Sequence, residues 1–233
     1  MRISISNTVP SSRKASSAWS VSDISGLDHW FKYQTNFTLS GSNVTDWGDN
    51  HGSNNFYKVA SSGNIPYNSG DVDFDANGGR MALDTLWDPG SFSFYFVFRI
   101  NYNASSNTTI FNEEIINSGN FNFIRLNNGG QVRIRIGDNG NNDINLTNSF
   151  SLDTWHVLGV EWDGTTINLY QDSKYDSASG TNPDTDTFAG ISHLGIRSNQ
   201  FDGNIRELVF INQELSSSDR NNLMEHLIAV KDL

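Results

Sequence analysis

The chain has 233 residues, a formal net charge of −11, a pI near 4.7 and no cysteine. An acidic surface of this kind repels phosphate backbones and anionic lipid, so neither nucleic acid nor a membrane is an expected partner. The absent thiols exclude disulfides and thiolate metal sites, and no apolar run is long enough to span a bilayer.

In chain order, residues 1–18 stand apart: they carry Arg2, Arg13 and Lys14, many serines and no acidic residue. Two readings stay open for them, a disordered terminus or a basic arm that docks on an acidic partner or neighbouring subunit. Residues 19–233 contain no linker and no long repeat, which predicts one domain. Its 15 phenylalanines and 20 glycines, with Asn and Ser clustered between apolar stretches, favour strands joined by tight turns. Around residues 19–34 a turn at Ser25-Gly26 precedes Leu27, Trp30 and Phe31, whose spacing predicts a short helix. A loop-rich run with two short β pieces follows.

The strongest strand covers residues 91–100. Phe92, Phe94, Phe96, Phe98 and Ile100 alternate onto one face, as the inner face of a sandwich requires, and Tyr95 and Val97 on the other face make the strand central. Next, the runs from Phe121 and Gln131 flank Asn127-Asn128-Gly129-Gly130, and the runs from Thr154 and Thr166 flank Asp163-Gly164; both patterns predict hairpins. In the 131 run, Val132, Ile134 and Ile136 point inward and Arg133 and Arg135 outward. Two further strands precede a closing helix over residues 216–229, with Ser216 and Asp219 in capping positions and Leu223, Met224, Leu227 and Ile228 as its apolar stripe. The fold class is therefore all-β, a two-sheet antiparallel jelly-roll sandwich with a short C-terminal helix.

Three segments carry a family resemblance. WHVLGVEWDGTTINLYQDSK (155–174), FDGNIRELVFINQELSSSDRNNLMEHL (201–227) and the front end, SDISGLDHWFKYQ through DWGDNHGSNNF to VDFDANGGRMAL, resemble the laminin-G-like branch of the concanavalin A-like lectin/glucanase superfamily. The front end is similar to the opening of such domains in bacteriophage virion proteins. The resemblance spans residues 22–227. It departs from the family pattern at Ser173, where Gly is usual, and at Trp47-Gly48-Asp49-Asn50-His51-Gly52, where His51 replaces a small residue. In this setting Gly203 is read as a turn glycine before a strand. Glu207 needs a partner if buried, with Arg99, Arg133 and Arg135 as the available cations.

Glucanases on this fold place carboxylates as Glu-x-Asp-x-(x)-Glu on one strand. Here Glu161-Trp162-Asp163 lacks the third acid, and Glu113 and Glu114 are adjacent, so they would face opposite ways. No catalytic residue is assigned, and Glu161→Gln is expected to have only modest stability effects. The histidines at 29, 51, 156, 193 and 226 show no zinc-ligand spacing. Asp138 to Asp143, with Asn139, Gly140, Asn141 and Asn142, and the triple Asp71, Asp73, Asp75 are oxygen-rich, yet each fits a polar turn or a solvated strand face better than a calcium site. No metal or cofactor is expected. Trp47, Trp87 and Tyr102 lie beside Asn or Asp and are candidate sugar platforms, although large aromatics in sandwiches are more often core. The resemblance implies a non-enzymatic structural protein of a bacteriophage virion, a capsid decoration or a tail or fibre component. Its partners would be other virion proteins or further copies of itself. The alternatives are a carbohydrate-binding host-adhesion module and a polysaccharide-degrading enzyme.

Overall fold

A computed structural model describes residues 19–74, 78–101, 108–112, 123–126, 131–135, 144–173, 177–181, 188, 190–195 and 201–233. Residues 1–18, and with them the basic arm, lie outside this set. In chain order the strands are β1 (Leu27–Phe31), β2 (Phe37–Ser40), β3 (Asn43–Trp47), β4 (Phe56–Lys58), β5 (Tyr67–Asn68) and β6 (Asp71–Phe74). They continue with β7 (Met81–Trp87), β8 (Phe92–Ile100), β9 (Thr108–Asn112), β10 (Phe123–Leu126), β11 (Gln131–Arg135) and β12 (Ile144–Ser149). The last are β13 (Trp155–Trp162), β14 (Thr166–Gln171), β15 (Ser177–Thr181), β16 (Ile191–Leu194) and β17 (Gly203–Ile211), followed by the helix α1 (Ser217–Lys231).

Among the described residues the strands form two antiparallel sheets. One runs β15-β14-β13-β8-β17-β6-β5, with β1 sharing the β17 edge beside β6; the other runs β12-β11-β10-β9-β16-β7-β4-β3-β2. The jelly-roll sandwich expected from the alternation is thus present. β8 is central, paired with β13 on one side and β17 on the other, and its phenylalanines are buried between the sheets. Phe94 meets Phe210 at 4.6 Å between ring centroids and Phe111 of the opposite sheet at 4.8 Å. The two expected hairpins form through β10–β11 and β13–β14. In the second, Asp163 accepts from the backbone N–H of Thr165 and Thr166, and Gly164 takes a φ of 99°.

A second apolar layer covers the outer face of the first sheet. Tyr95, Val97, Val157, Tyr170, Val209 and Ile211 pack there against Leu223, Met224, Leu227 and Val230 of α1. Ser216 caps the helix, its hydroxyl accepting from Asp219 N–H and donating to the Asp219 carboxylate. The start of the described chain lies on this same side, with Trp19 6.4 Å from His226 of α1. No helix among the described residues is long and apolar enough to cross a membrane.

Two local expectations are corrected. Leu27, Trp30 and Phe31 belong to a strand, preceded by one turn of 3-10 helix at Val21–Asp23. A bulge at Asp28 shifts the register, so Leu27 and Trp30 pack under the helix while Phe31 enters the inter-sheet core. One extra residue in a strand puts positions i and i+3 on one face, which imitates helical spacing. Gly203 is not in a turn: it sits within β17, where an added Cβ would collide with the Arg99 carbonyl oxygen and come within 2.6 Å of the Phe201 ring.

Candidate functional site

The polar groups of the first sheet gather on its outer face, beneath and beside α1. Gly159 of β13 lies between Tyr95 of β8 and Tyr170 of β14. With no Cβ at 159, the Tyr95 ring leans across the glycine, and a side chain there would strike its Cδ1 and Cε1. Both hydroxyls thereby reach Glu161, two residues along the same strand face. Tyr95 donates to Oε1 at 2.6 Å and Tyr170 to Oε2 at 3.4 Å. From α1, Arg220 donates Nε to Oε1 at 2.8 Å and Nη2 to Oε2 at 2.5 Å. Arg220 Nη2 also donates to the Leu215 carbonyl.

The Glu161 side chain is wholly buried. Its oxygens are filled by a bidentate guanidinium and two phenols, and a helix separates it from solvent. That is an anchor for α1, and it gives Glu161→Gln a larger stability cost than the sequence suggested, because the Arg220 charge would lose its counter-ion. Asp163 is a turn residue. Glu113 and Glu114 lie outside the described residues.

Burial, followed by the charge of Glu161, raises the Tyr95 hydroxyl well above its ordinary pKa and Tyr170 from 10.0 to about 12. A pKa raised on folding contributes stability that is complete below the unfolded value and is lost as pH climbs through the folded one. The thermal midpoint should therefore fall steeply between pH 10 and 12 as phenolate forms. Tyr170→Phe should flatten that fall in a calorimetric pH series; an unchanged slope would detach Tyr170 from the effect.

Glu207 of β17 is the second buried acid, and its partners correct the expected arginine. Oε1 accepts from Trp30 Nε1 at 2.8 Å and lies 2.6 Å from His226 Nε2, and Oε2 accepts from Tyr33 N–H at 3.3 Å. They come from β1, the residues just after it, and α1, which cover β17 from outside. Arg99 instead donates to Asn204, Arg133 belongs to the other sheet, and the Arg135 side chain lies outside the described set. Beside Glu207, Arg206 donates Nε to Asp71 at 3.0 Å and Nη1 to the carbonyls of Val230 and Lys231, placing a cation at the C-terminus of α1. Burial raises the Asp71 carboxyl despite the opposing pull of Arg206. Asp71 is thus committed to an ion pair and is not a solvated strand residue. Asp75 and residues 138–143 lie outside the described set. Among the described residues no group of three His, Asp or Glu side chains is placed to hold a metal ion.

Two further histidines also meet carboxylates, which their scatter in sequence conceals. His29 Nδ1 lies 2.8 Å from Asp49 Oδ2. Burial opposes ionisation of Asp49, but hydrogen bonds from His29 and from the N–H groups of Trp30, His51 and Gly52 hold its carboxyl below the usual value. Gly52 has no room for a side chain, with Asp49 Oδ2 2.7 Å from a virtual Cβ, so the Asp49-to-Gly52 loop is fixed by this carboxylate.

His156 lies between Asp172, at 2.7 Å from Nδ1, and Ser151, whose Oγ is 3.3 Å from Nε2. These distances suggest a nucleophilic triad. However, Nε2 is closer to the Ser151 carbonyl oxygen, at 3.0 Å, and a general base needs a lone pair aimed at the hydroxyl proton. Facing an acceptor on either side, the imidazole staples the turn before β13 to the end of β14.

Trp47 and Trp87 are core residues and not sugar platforms. Trp47 stacks on Phe37 at 5.1 Å, and Trp87 packs on Phe210 at 4.8 Å while donating Nε1 to Asp28. Tyr102 lies outside the described residues. One partly exposed aromatic whose setting only the strand register reveals is Trp155, at the start of β13. It faces outward opposite Arg99; Arg99 is opposite Asn204, and Asn204 is opposite Asp73, so four strands contribute one row. The guanidinium of Arg206 lies 3.9 Å from the Trp155 ring centroid, and that of Arg99 lies 5.3 Å from it.

A family model of the concanavalin A-like lectin/glucanases superfamily, of laminin G type, matches residues 74–219, more than half of the chain. The chain belongs to this superfamily. No curated protein sequence matches it significantly. Among solved structures, it is similar to the Trypanosoma rangeli sialidase in complex with 2,3-difluorosialic acid, with 18% identity, a TM-score of 0.64, and coverage of 94% of this chain and 36% of that one. It is also similar to the botulinum neurotoxin serotype D binding domain, with 17% identity, a TM-score of 0.62, and coverage of 86% and 52%. The superfamily member described here therefore spans about a third to a half of the length of these structures, and at such identities the likeness is one of fold.

Proposed function

We propose that this superfamily member is a non-enzymatic structural protein of a bacteriophage virion, a capsid decoration or a tail or fibre component. In this reading residues 1–18 form the attachment arm and residues 19–233 the displayed domain. The non-enzymatic part is carried by one observation: Glu161, the acid nearest to the glucanase pattern, is sealed under α1 with its oxygens filled by Arg220, Tyr95 and Tyr170. A glycosidase acid must face a sugar, and this one faces a helix. The virion setting is supported by the resemblance of the front end.

Host adhesion through a glycan is a second reading. The outward row Trp155–Arg99–Asn204 favours it, because an aromatic edge beside amide and guanidinium groups suits sugars. The fold is also shared with a sialidase seen with a sialic acid derivative and with a toxin binding domain.

Mass spectrometry of purified particles should find the chain at a fixed copy number. Deleting residues 2–17 should remove it from the particles while leaving the thermal midpoint unchanged. Release of reducing sugar by the purified protein, abolished in a folded Glu161→Gln variant, would overturn the non-enzymatic reading.

A further inference from the structure

The row that crosses β13, β8, β17 and β6 contains unfinished hydrogen bonding. Asn204 is fully buried, and its Oδ1 accepts from Arg99 Nη2 at 2.8 Å and Asn101 Nδ2 at 3.1 Å. The Arg99 contact fixes which end of the Asn204 amide is oxygen. That leaves Asn204 Nδ2, Arg99 Nε and Asn101 Oδ1, three buried polar atoms in residues joined through Asn204, without partners among the described residues. Native proteins seldom leave such atoms unmatched, because each has given up its water. Arg99, Asn101 and the neighbouring Trp155 are each partly exposed, so the three atoms lie close under the surface. Among the described residues Asn101 makes one side-chain hydrogen bond, to Asn204, so a ligand that turns it breaks a single contact.

We infer that this row is the binding site for a neutral saccharide, an inference that rests on the glycan-adhesion reading above and gives it a location. Two vacant donors, Asn204 Nδ2 and Arg99 Nε, and one vacant acceptor, Asn101 Oδ1, suit hydroxyl groups, which both accept and donate. A carboxylate or phosphate accepts only and would leave Asn101 Oδ1 unmet. An anion would also meet a chain of net charge −11, in which the Arg206 cation beside the row is already paired with Asp71. The part of Trp155 left exposed beside the Arg206 and Arg99 guanidiniums supplies an apolar edge for the carbon-bound hydrogens of a sugar ring. From Trp155 to Asp73 the row crosses three strand spacings, about 14 Å, the reach of a short oligosaccharide. Arg99, Asn204 and Trp155 stand on paired strands and are held in place before binding, while Asn101, just past the end of β8, is the group that moves.

The test is a glycan array carrying neutral and sialylated oligosaccharides, probed with the full chain. NMR titration with the best neutral binder then follows the side-chain amides of Asn101 and Asn204. Neutral glycans should bind, both amides should shift, and Asn101→Ala and Trp155→Ala should each weaken binding at least tenfold. Asn101, at the rim, should be replaceable with no change in thermal midpoint, which keeps binding loss distinct from unfolding. Binding that survives both substitutions would overturn this location and leave glycan adhesion standing. Binding of sialylated glycans alone would overturn the neutral class. If no glycan binds and the amides report only an ordered water, both the location and the adhesion reading fail.

Discussion

Arg220→Met should lower unfolding free energy by about 3–5 kcal/mol, the cost of leaving a buried charge without its partner. Arg220 is the only one of the three donors to Glu161 that is charged, and Glu161 has no access to water. Tyr95 and Tyr170 hydrogen-bond the carboxylate but do not neutralise it. The double replacement Arg220→Met with Glu161→Leu should recover much of the loss, since the stranded charge is then gone. Urea denaturation of the single and double variants measures the coupling. If the double variant is as unstable as Arg220→Met, the loss comes from disrupted helix packing, and the ion pair is incidental to it.

Phe94→Ala should cost about 3–5 kcal/mol through lost burial and the cavity left behind. Phe94 has no exposed surface and touches rings from both sheets: Phe96, Phe210, Trp87 and Phe111. Relaxation is limited because its neighbours are aromatic rings fixed in strands on either side. Tyr57→Ala, by contrast, removes an exposed ring from β4 and makes a suitable reference in the same denaturation series. Similar midpoints for the two variants would show that the inner face of β8 is misassigned.

These two positions also show what the sequence made legible. Phe94 was readable because alternation along a strand is local, and so were Asp163-Gly164 and the apolar stripe of α1. β1 was misread because a bulge at Asp28 reproduces helical spacing within five residues. The partners of Glu207 were out of reach for a different reason. Trp30 and Tyr33 lie 177 and 174 residues away in sequence, and only strand order brings them to β17. The row of Trp155, Arg99, Asn204 and Asp73 was hidden likewise: each residue is unremarkable in its own strand, and the register of three strand pairs makes the group. The histidine–carboxylate contacts join residues 16 to 20 apart from neighbouring elements, at separations that match no motif.

The position of Trp19 beside His226 bears on how the domain responds to mechanical load. From His226 to the end of α1 is less than two helical turns, about 8 Å, and the helix terminus is clasped by Arg206. Tension applied between the two ends of the described chain therefore runs through a short circuit: the segment leading into β1, the helix and the contact between them. It bypasses the inter-sheet core. A pull would peel this outer layer before straining the phenylalanine stack, and Glu207, which holds Trp30 on one side and His226 on the other, is the rivet that such a pull must break.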